Sequence, residues 1–154
     1  MTAATEQDVE VNGASLHVRV EGTAGKPWIV LIHSLGTDHR LWDPQIAAFA
    51  PAYRILRYDM RGHGLSAATP GPYDIALLTD DLLALIAHFH IERAVVVGIS
   101  LGALTALSIA LRPAPAVAAI AVCDSRSDMS PENARAIDER NRLGAGPADG
   151  RAER

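Results

Sequence analysis

The sequence contains a single cysteine, Cys123, so it can form no internal disulfide, which suits a reducing compartment. It has no long apolar run: the longest, Ala116 to Cys123, falls far short of the roughly 20 residues a membrane-spanning helix needs. The stretch from Met1 to Asp8 lacks the basic and apolar blocks of a secretory leader. The expectation is therefore a cytoplasmic chain with no membrane partner. With 14 Lys and Arg against 18 Asp and Glu, and no basic cluster, no nucleic-acid partner is expected either. There is no H-E-x-x-H, no paired-cysteine motif and no G-x-G-x-x-G, and Gly22 to Lys26 lacks P-loop spacing. No metal and no cofactor are expected. One further absence bears on chemistry: no histidine follows His90.

What is present is the composition of one globular domain, 154 residues long with 49% hydrophobic and 21% charged residues. Val9 to Val11 and Ser15 to Glu21 alternate around Asn12-Gly13, which reads as a hairpin with His17 pointing outward. Trp28 to Ile32 is a continuous apolar run, the pattern of a strand buried on both faces. Asp43 as N-cap and Pro44 as first helical residue open a short helix that ends near Ala50-Pro51. Ile55 and Leu56 mark the next strand. From Asp74 onward, Ile75, Leu78, Leu82, Leu85, Ile86 and Phe89 recur at helical spacing. Ala94 to Gly98 reads as the central strand, Leu101 to Leu111 as a helix and Val117 to Cys123 as another buried strand, with Cys123 a buried small hydrophobe. Strand and helix alternate with short links, the pattern of an α/β domain.

The chemistry centres on Val95-Val96-Val97-Gly98-Ile99-Ser100-Leu101-Gly102-Ala103, a buried strand that enters G-x-S-x-G and then a helix. That context identifies a nucleophile elbow with Ser100 at its tip, where Gly98 and Gly102 permit a tight turn. A serine hydroxyl needs donors for the developing oxyanion. The Leu101 N–H, at the helix start, and the Leu35 N–H, in the loop His33-Ser34-Leu35-Gly36 after the first buried strand, are the candidates. His33 reads as a scaffold for that loop or, alternatively, as a base. Asp59 and Arg61, beside Gly62 and Gly64, read as bracing for the next loop. His88 and His90 belong to a helix end facing solvent, and His39, ahead of a helix, reads as a surface residue or, alternatively, as one that approaches a pocket.

The segments His33 to Gly36, Asp59-Met60-Arg61-Gly62-His63-Gly64-Leu65-Ser66 and Gly98 to Gly102, in this order and spacing, resemble the α/β-hydrolase family. The longer strings His33 to Gln45, Arg57 to Gly64 and Pro70 to Tyr73 resemble its 3-oxoadipate enol-lactonase branch. The resemblance covers residues 9–125 and implies a mostly parallel sheet with helices on both faces, ending here after about the sixth strand. It implies hydrolysis of a small-molecule ester or enol-lactone, with Ser100 as nucleophile and Leu35 and Leu101 as oxyanion donors. The expected organisation is hydrolase core over 1–125, the start of a cap helix over 126–143 and a disordered tail over 144–154. Family members carry an acid and a histidine after the elbow. Neither is assigned in this sequence, and Asp124 is the one candidate acid. Two other readings stand beside this one. The first is an inactive hydrolase-like module that engages a partner protein or a second copy through the apolar sheet edge at Ala116 to Cys123. The second is a general esterase or perhydrolase.

Overall fold

A computed structural model describes residues 2–125, so the expected cap helix and tail lie outside the described residues. The hairpin forms as read, from β1 (Thr2–Val11) and β2 (Ala14–Gly22). Asn12 and Gly13 both have positive φ, 47° and 71°, the backbone of a type I′ turn whose twist matches the flanking strands. β1 reaches further back than its alternation implied, pairing Thr5 with Val20 and Thr2 with Gly22. Four more strands follow: β3 (Trp28–Ile32), β4 (Arg54–Tyr58), β5 (Ala94–Ile99) and β6 (Val117–Cys123). The sheet order is β1-β2-β4-β3-β5-β6, with β4, β3, β5 and β6 parallel and the hairpin antiparallel.

Period-two alternation divides β3 between two cores. Val30 and Ile32 face α2 (Ile75–His88) and α3 (Leu101–Ile109), packing among Leu56, Leu78, Leu82, Leu85, Val96 and Ile109. Ile29 and Leu31 face the opposite side, where Trp42, Ala50, Ile55 and Val97 close over them with Ile46 and Phe49 of α1 (Asp43–Phe49). Helices therefore cover both faces, as a βαβ succession requires. No helix among the described residues is long and apolar enough to cross a membrane.

Several readings are corrected. β5 lies one strand in from an edge, and β4 and β3 are central among the described strands. β6 is itself that edge, so none of its residues is fully buried, and Cys123 is only half-buried. Asp43 does not cap α1. Trp42 holds that position, a 3-10 turn at His39–Trp42 precedes it, and Asp38 caps that turn by accepting from the Arg40 N–H at 2.9 Å. The Asp43 carboxylate instead accepts from Arg57. Asp74, by contrast, caps α2 as read, accepting from the Leu77 N–H at 2.7 Å.

One buried polar contact ties these layers together. Asp81 lies on the apolar face of α2, 1% exposed, and accepts from Arg61 at 2.6 and 2.9 Å. Arg61 also donates to the Asn12 carbonyl and to Thr69 Oγ1, both at 2.9 Å. Breaking a buried pair leaves one charge uncompensated, whereas replacing both partners by apolar groups is often neutral. Asp81→Ala should cost about 3–5 kcal/mol in urea unfolding, and the double change Arg61→Met with Asp81→Leu should recover most of that loss.

Candidate active site

The elbow is a contact between backbones. A Cβ on Gly98 would stand 2.1 Å from the Gly102 carbonyl oxygen, and one on Gly102 would stand 2.4 Å from the Ile32 oxygen and 2.6 Å from that of His33. Only glycine lets the start of α3 lie this close to the ends of β5 and β3. Between them Ser100 adopts φ 52° and ψ −112°, a conformation that side chains rarely take. Its N–H donates to the Cys123 carbonyl at 3.1 Å, which ties the elbow to β6. Among the described residues its hydroxyl has no hydrogen-bond partner, and Ser100 is half-buried. The first helical bond of α3 runs from the Leu104 N–H to the Ser100 carbonyl at 3.1 Å, so the Leu101 N–H precedes the bonded ladder.

Leu35 occupies the first corner of a turn closed by the Thr37 N–H on the Ser34 carbonyl at 3.2 Å, with Gly36 at φ 74° as the second corner. Positive φ at that corner is the mark of a type II turn, in which the first-corner N–H is left outside the turn's own hydrogen bond. Leu35 is 46% exposed. His33 is fully buried and has both ring nitrogens engaged: Nδ1–H donates to the Ser34 carbonyl at 2.8 Å, and Nε2 accepts from the Met60 N–H at 2.8 Å. Those partners fix one neutral tautomer, and burial pushes its pKa down. No ring nitrogen remains for proton transfer, so the geometry fits the scaffold reading and not the base reading. His63 packs edge-on against His33 with centroids 5.2 Å apart.

Asp59 braces the neighbouring loop. It is 1% exposed, and Oδ1 accepts from the His39 backbone N–H at 2.8 Å and from His39 Nδ1 at 2.7 Å, while Oδ2 accepts from the Leu65 N–H at 2.8 Å. Burial works against its ionisation, but these donors outweigh it and hold the carboxyl below the usual carboxylate range. Gly64 is required here, since a Cβ would stand 2.0 Å from Asp59 Oδ2. Asp124 immediately follows β6, exposed and at φ 46°, one residue beyond the pairing of Ile99 with Cys123. His88 and His90 are exposed as read.

Two histidines were misread. His17 is 8% exposed and His39 5% exposed, because β2 is an inner strand and the 3-10 turn lies over its second face. Asp81 was missed altogether. Its sequence signal was a carboxylate three residues after Leu78, inside the apolar stripe of α2.

The protein-family model for the alpha/beta hydrolase fold matches residues 27–147. The chain is 39% identical over 127 residues to 3-oxoadipate enol-lactonase 1 of Acinetobacter baylyi, covering 80% of this chain and 47% of that protein. Among solved structures, a hydrolase from Pseudomonas aeruginosa PA01 superposes with TM-score 0.85 at 34% identity, covering 92% of this chain and 54% of the other. The enol-lactonase from Burkholderia xenovorans LB400 gives 0.79 at 43% identity, over 87% and 54%. The chain thus spans about half the length of these relatives.

Gly102→Ala forces a Cβ into two carbonyl oxygens that cannot withdraw without moving β3, so it should cost at least about 3 kcal/mol, at the upper end for single changes. Guanidinium unfolding of the variant checks this. The pH dependence follows from the two depressed pKa values. The unfolded chain takes up protons first, so stability is complete above the unfolded pKa of His33, about 6.5, and declines as pH falls below it. Asp59 adds a second decline below about 3.9. Urea midpoints measured across both windows should fall in two steps, and His33→Gln should flatten the first.

Proposed function

This chain belongs to the alpha/beta hydrolase family, and on that footing we propose that Ser100 is the nucleophile of a serine hydrolase acting on ester or lactone carbonyls. The carrying observation is the elbow itself: a serine in strained backbone, held at a helix start by two glycines that nothing larger can replace. Strain of this kind persists where surrounding packing over-determines it, and it keeps the hydroxyl clear of the helix. The Leu101 and Leu35 N–H groups serve as oxyanion donors, stabilising charge on the carbonyl oxygen as Ser100 Oγ attacks. His33 positions the Leu35 loop by joining the Ser34 carbonyl to the Met60 N–H. The substrate class favoured is the enol-lactone, because of the similarity to 3-oxoadipate enol-lactonase over four-fifths of this chain.

No residue of this sequence is assigned here as the base. No histidine follows Ser100, and His33, the histidine in the adjoining loop, has both nitrogens occupied. Asp124, beside the elbow on the end of β6, is the candidate acid. A site with oxyanion donors and no base retains about 10³–10⁴-fold acceleration over water, against losses near 10⁶ for removal of the serine-histidine unit.

A second reading draws on β6. Its outer edge is unpaired among the described residues, with Ala118, Ala119, Ala121 and Val122 exposed, which favours a module that adds a strand from a partner.

The purified chain should react slowly but specifically with a fluorophosphonate probe at Ser100, and Ser100→Ala should abolish the labelling while unfolding cooperatively. Turnover of enol-lactone by the chain alone should stay below about 10⁻³ of that of a complete enzyme. Rapid turnover lost in Ser100→Ala would show that a base is present. Absence of any serine-dependent labelling would favour the binding module.

A further inference from the structure

The loop that carries Leu35 is held through one atom. The Ser34 carbonyl oxygen accepts from His33 Nδ1–H at 2.8 Å, from the Thr37 hydroxyl at 2.8 Å and from the Thr37 N–H at 3.2 Å. A carbonyl oxygen offers two lone pairs, so three donors saturate it. The turn does not need all of them. Gly36 at φ 74° and the Thr37 N–H already close it, and the two side-chain donors are additional, one from each flank of the turn. Thr37 Oγ1 also lies 3.4 Å from His33 Nδ1, so ring, hydroxyl and carbonyl form a closed triangle.

That oxygen belongs to the same peptide unit as the Leu35 N–H. The unit is trans, and in a planar trans peptide C=O and N–H point in opposite directions, so fixing one fixes the other. The His33 ring that holds the carbonyl is itself fixed, fully buried and with Nε2 accepting from the Met60 N–H at 2.8 Å. The carbonyl is thereby anchored to a buried group and the N–H is turned away from it. Among the described residues the Leu35 N–H has no acceptor. Donors on a carbonyl oxygen draw electron density from the amide nitrogen, which strengthens the N–H on the other side of the unit by about 10–30% per bond.

We propose that Thr37 is a positioning residue for the oxyanion site: its hydroxyl, together with His33 Nδ1–H, fixes and polarises the Ser34–Leu35 peptide so that the Leu35 N–H meets the developing oxyanion already aimed. This rests on the reading of Ser100 as nucleophile and of Leu35 as oxyanion donor. A donor that is aimed beforehand needs no reorganisation when charge develops. Removing such a donor outright costs about 10²–10³-fold in rate. Thr37 acts through the peptide and leaves the donor in place, so its hydroxyl accounts for the smaller factor of one net hydrogen bond, about 3- to 10-fold.

Two variants separate the hydroxyl from the shape of the side chain. Thr37→Val removes the hydroxyl and keeps the branching, whereas Thr37→Ser keeps the hydroxyl and removes the methyl group. Fluorophosphonate labelling of Ser100 in the full chain should slow about 3- to 10-fold in Thr37→Val and stay within about twofold of the wild-type rate in Thr37→Ser. The Leu35 amide ¹⁵N signal should move upfield in Thr37→Val and return in Thr37→Ser. His90→Gln, on an exposed turn, is the control and should change neither readout. Labelling of Ser100 that Thr37→Val leaves at the wild-type rate overturns the proposal and leaves the nucleophile standing. Equal slowing by Thr37→Val and Thr37→Ser overturns it too, because side-chain shape would then be the cause. A wild-type chain that shows no serine-dependent labelling removes the nucleophile reading and this one with it. Should Thr37→Val fail to fold, the wild type decides: the Ser34 carbonyl ¹³C signal should lie downfield of loop carbonyls that accept one hydrogen bond, and a signal within their range overturns the proposal.

Discussion

The end of this sheet that carries Ser100 depends on one close approach, the backbone of Gly102 against the carbonyls at the end of β3. Because α3 begins in contact with β3, the elbow after β5 and the loop after β3 are held as neighbours and do not drift as independent loops. The strain at Ser100 is sustained by that contact. The turn cannot relax without lifting α3 away from Ile32, and α3 is anchored further along by Ala106 and Ile109 in the main core. The hydroxyl and the two candidate oxyanion donors thus derive their geometry from apolar packing some distance away.

Around this contact lies a set of buried polar residues, each holding one loop. His33 joins the β3 loop to the β4 loop, Asp59 joins the β4 loop to the 3-10 turn, and Arg61 joins the same loop to α2 and the hairpin. Arg57 continues the chain on the other side, donating to Glu21 at 2.6 Å and to the His39 carbonyl at 3.0 Å. Loops at the ends of parallel strands have few apolar residues with which to pack, so charged groups supply their order. Buried charges of this kind are costly unless every partner is present, which makes the network specific as well as stabilising.

The elements themselves were legible because each has a local cause. β3 and β5 read as apolar runs because both of their faces are covered, and α2 announced itself through a six-residue apolar stripe and an aspartate cap. The elbow could be read because its glycines are demanded by backbone geometry within a few residues of Ser100. Readings failed where the cause was distant. His17 alternates like an outward residue, yet the turn at His39–Trp42 folds over it. Asp43 resembles a helix cap, yet Arg57, fourteen residues on, takes its carboxylate. β6 is as apolar as β3, yet no described strand covers its outer edge.

The sequence by itself determined which segments become strands and helices, where the chain turns, and that a serine stands on a glycine-flanked elbow. Those outcomes follow from side-chain periodicity and from steric limits on φ and ψ, which act over a few residues. Tertiary structure alone decided the partners: His33 spent on two backbone groups, Asp81 drawn to Arg61, and the rings of His17 and His39 brought to 5.5 Å. Hydrogen bonds and ion pairs between residues far apart in sequence depend on where the sheet order places them, and no local pattern encodes that order.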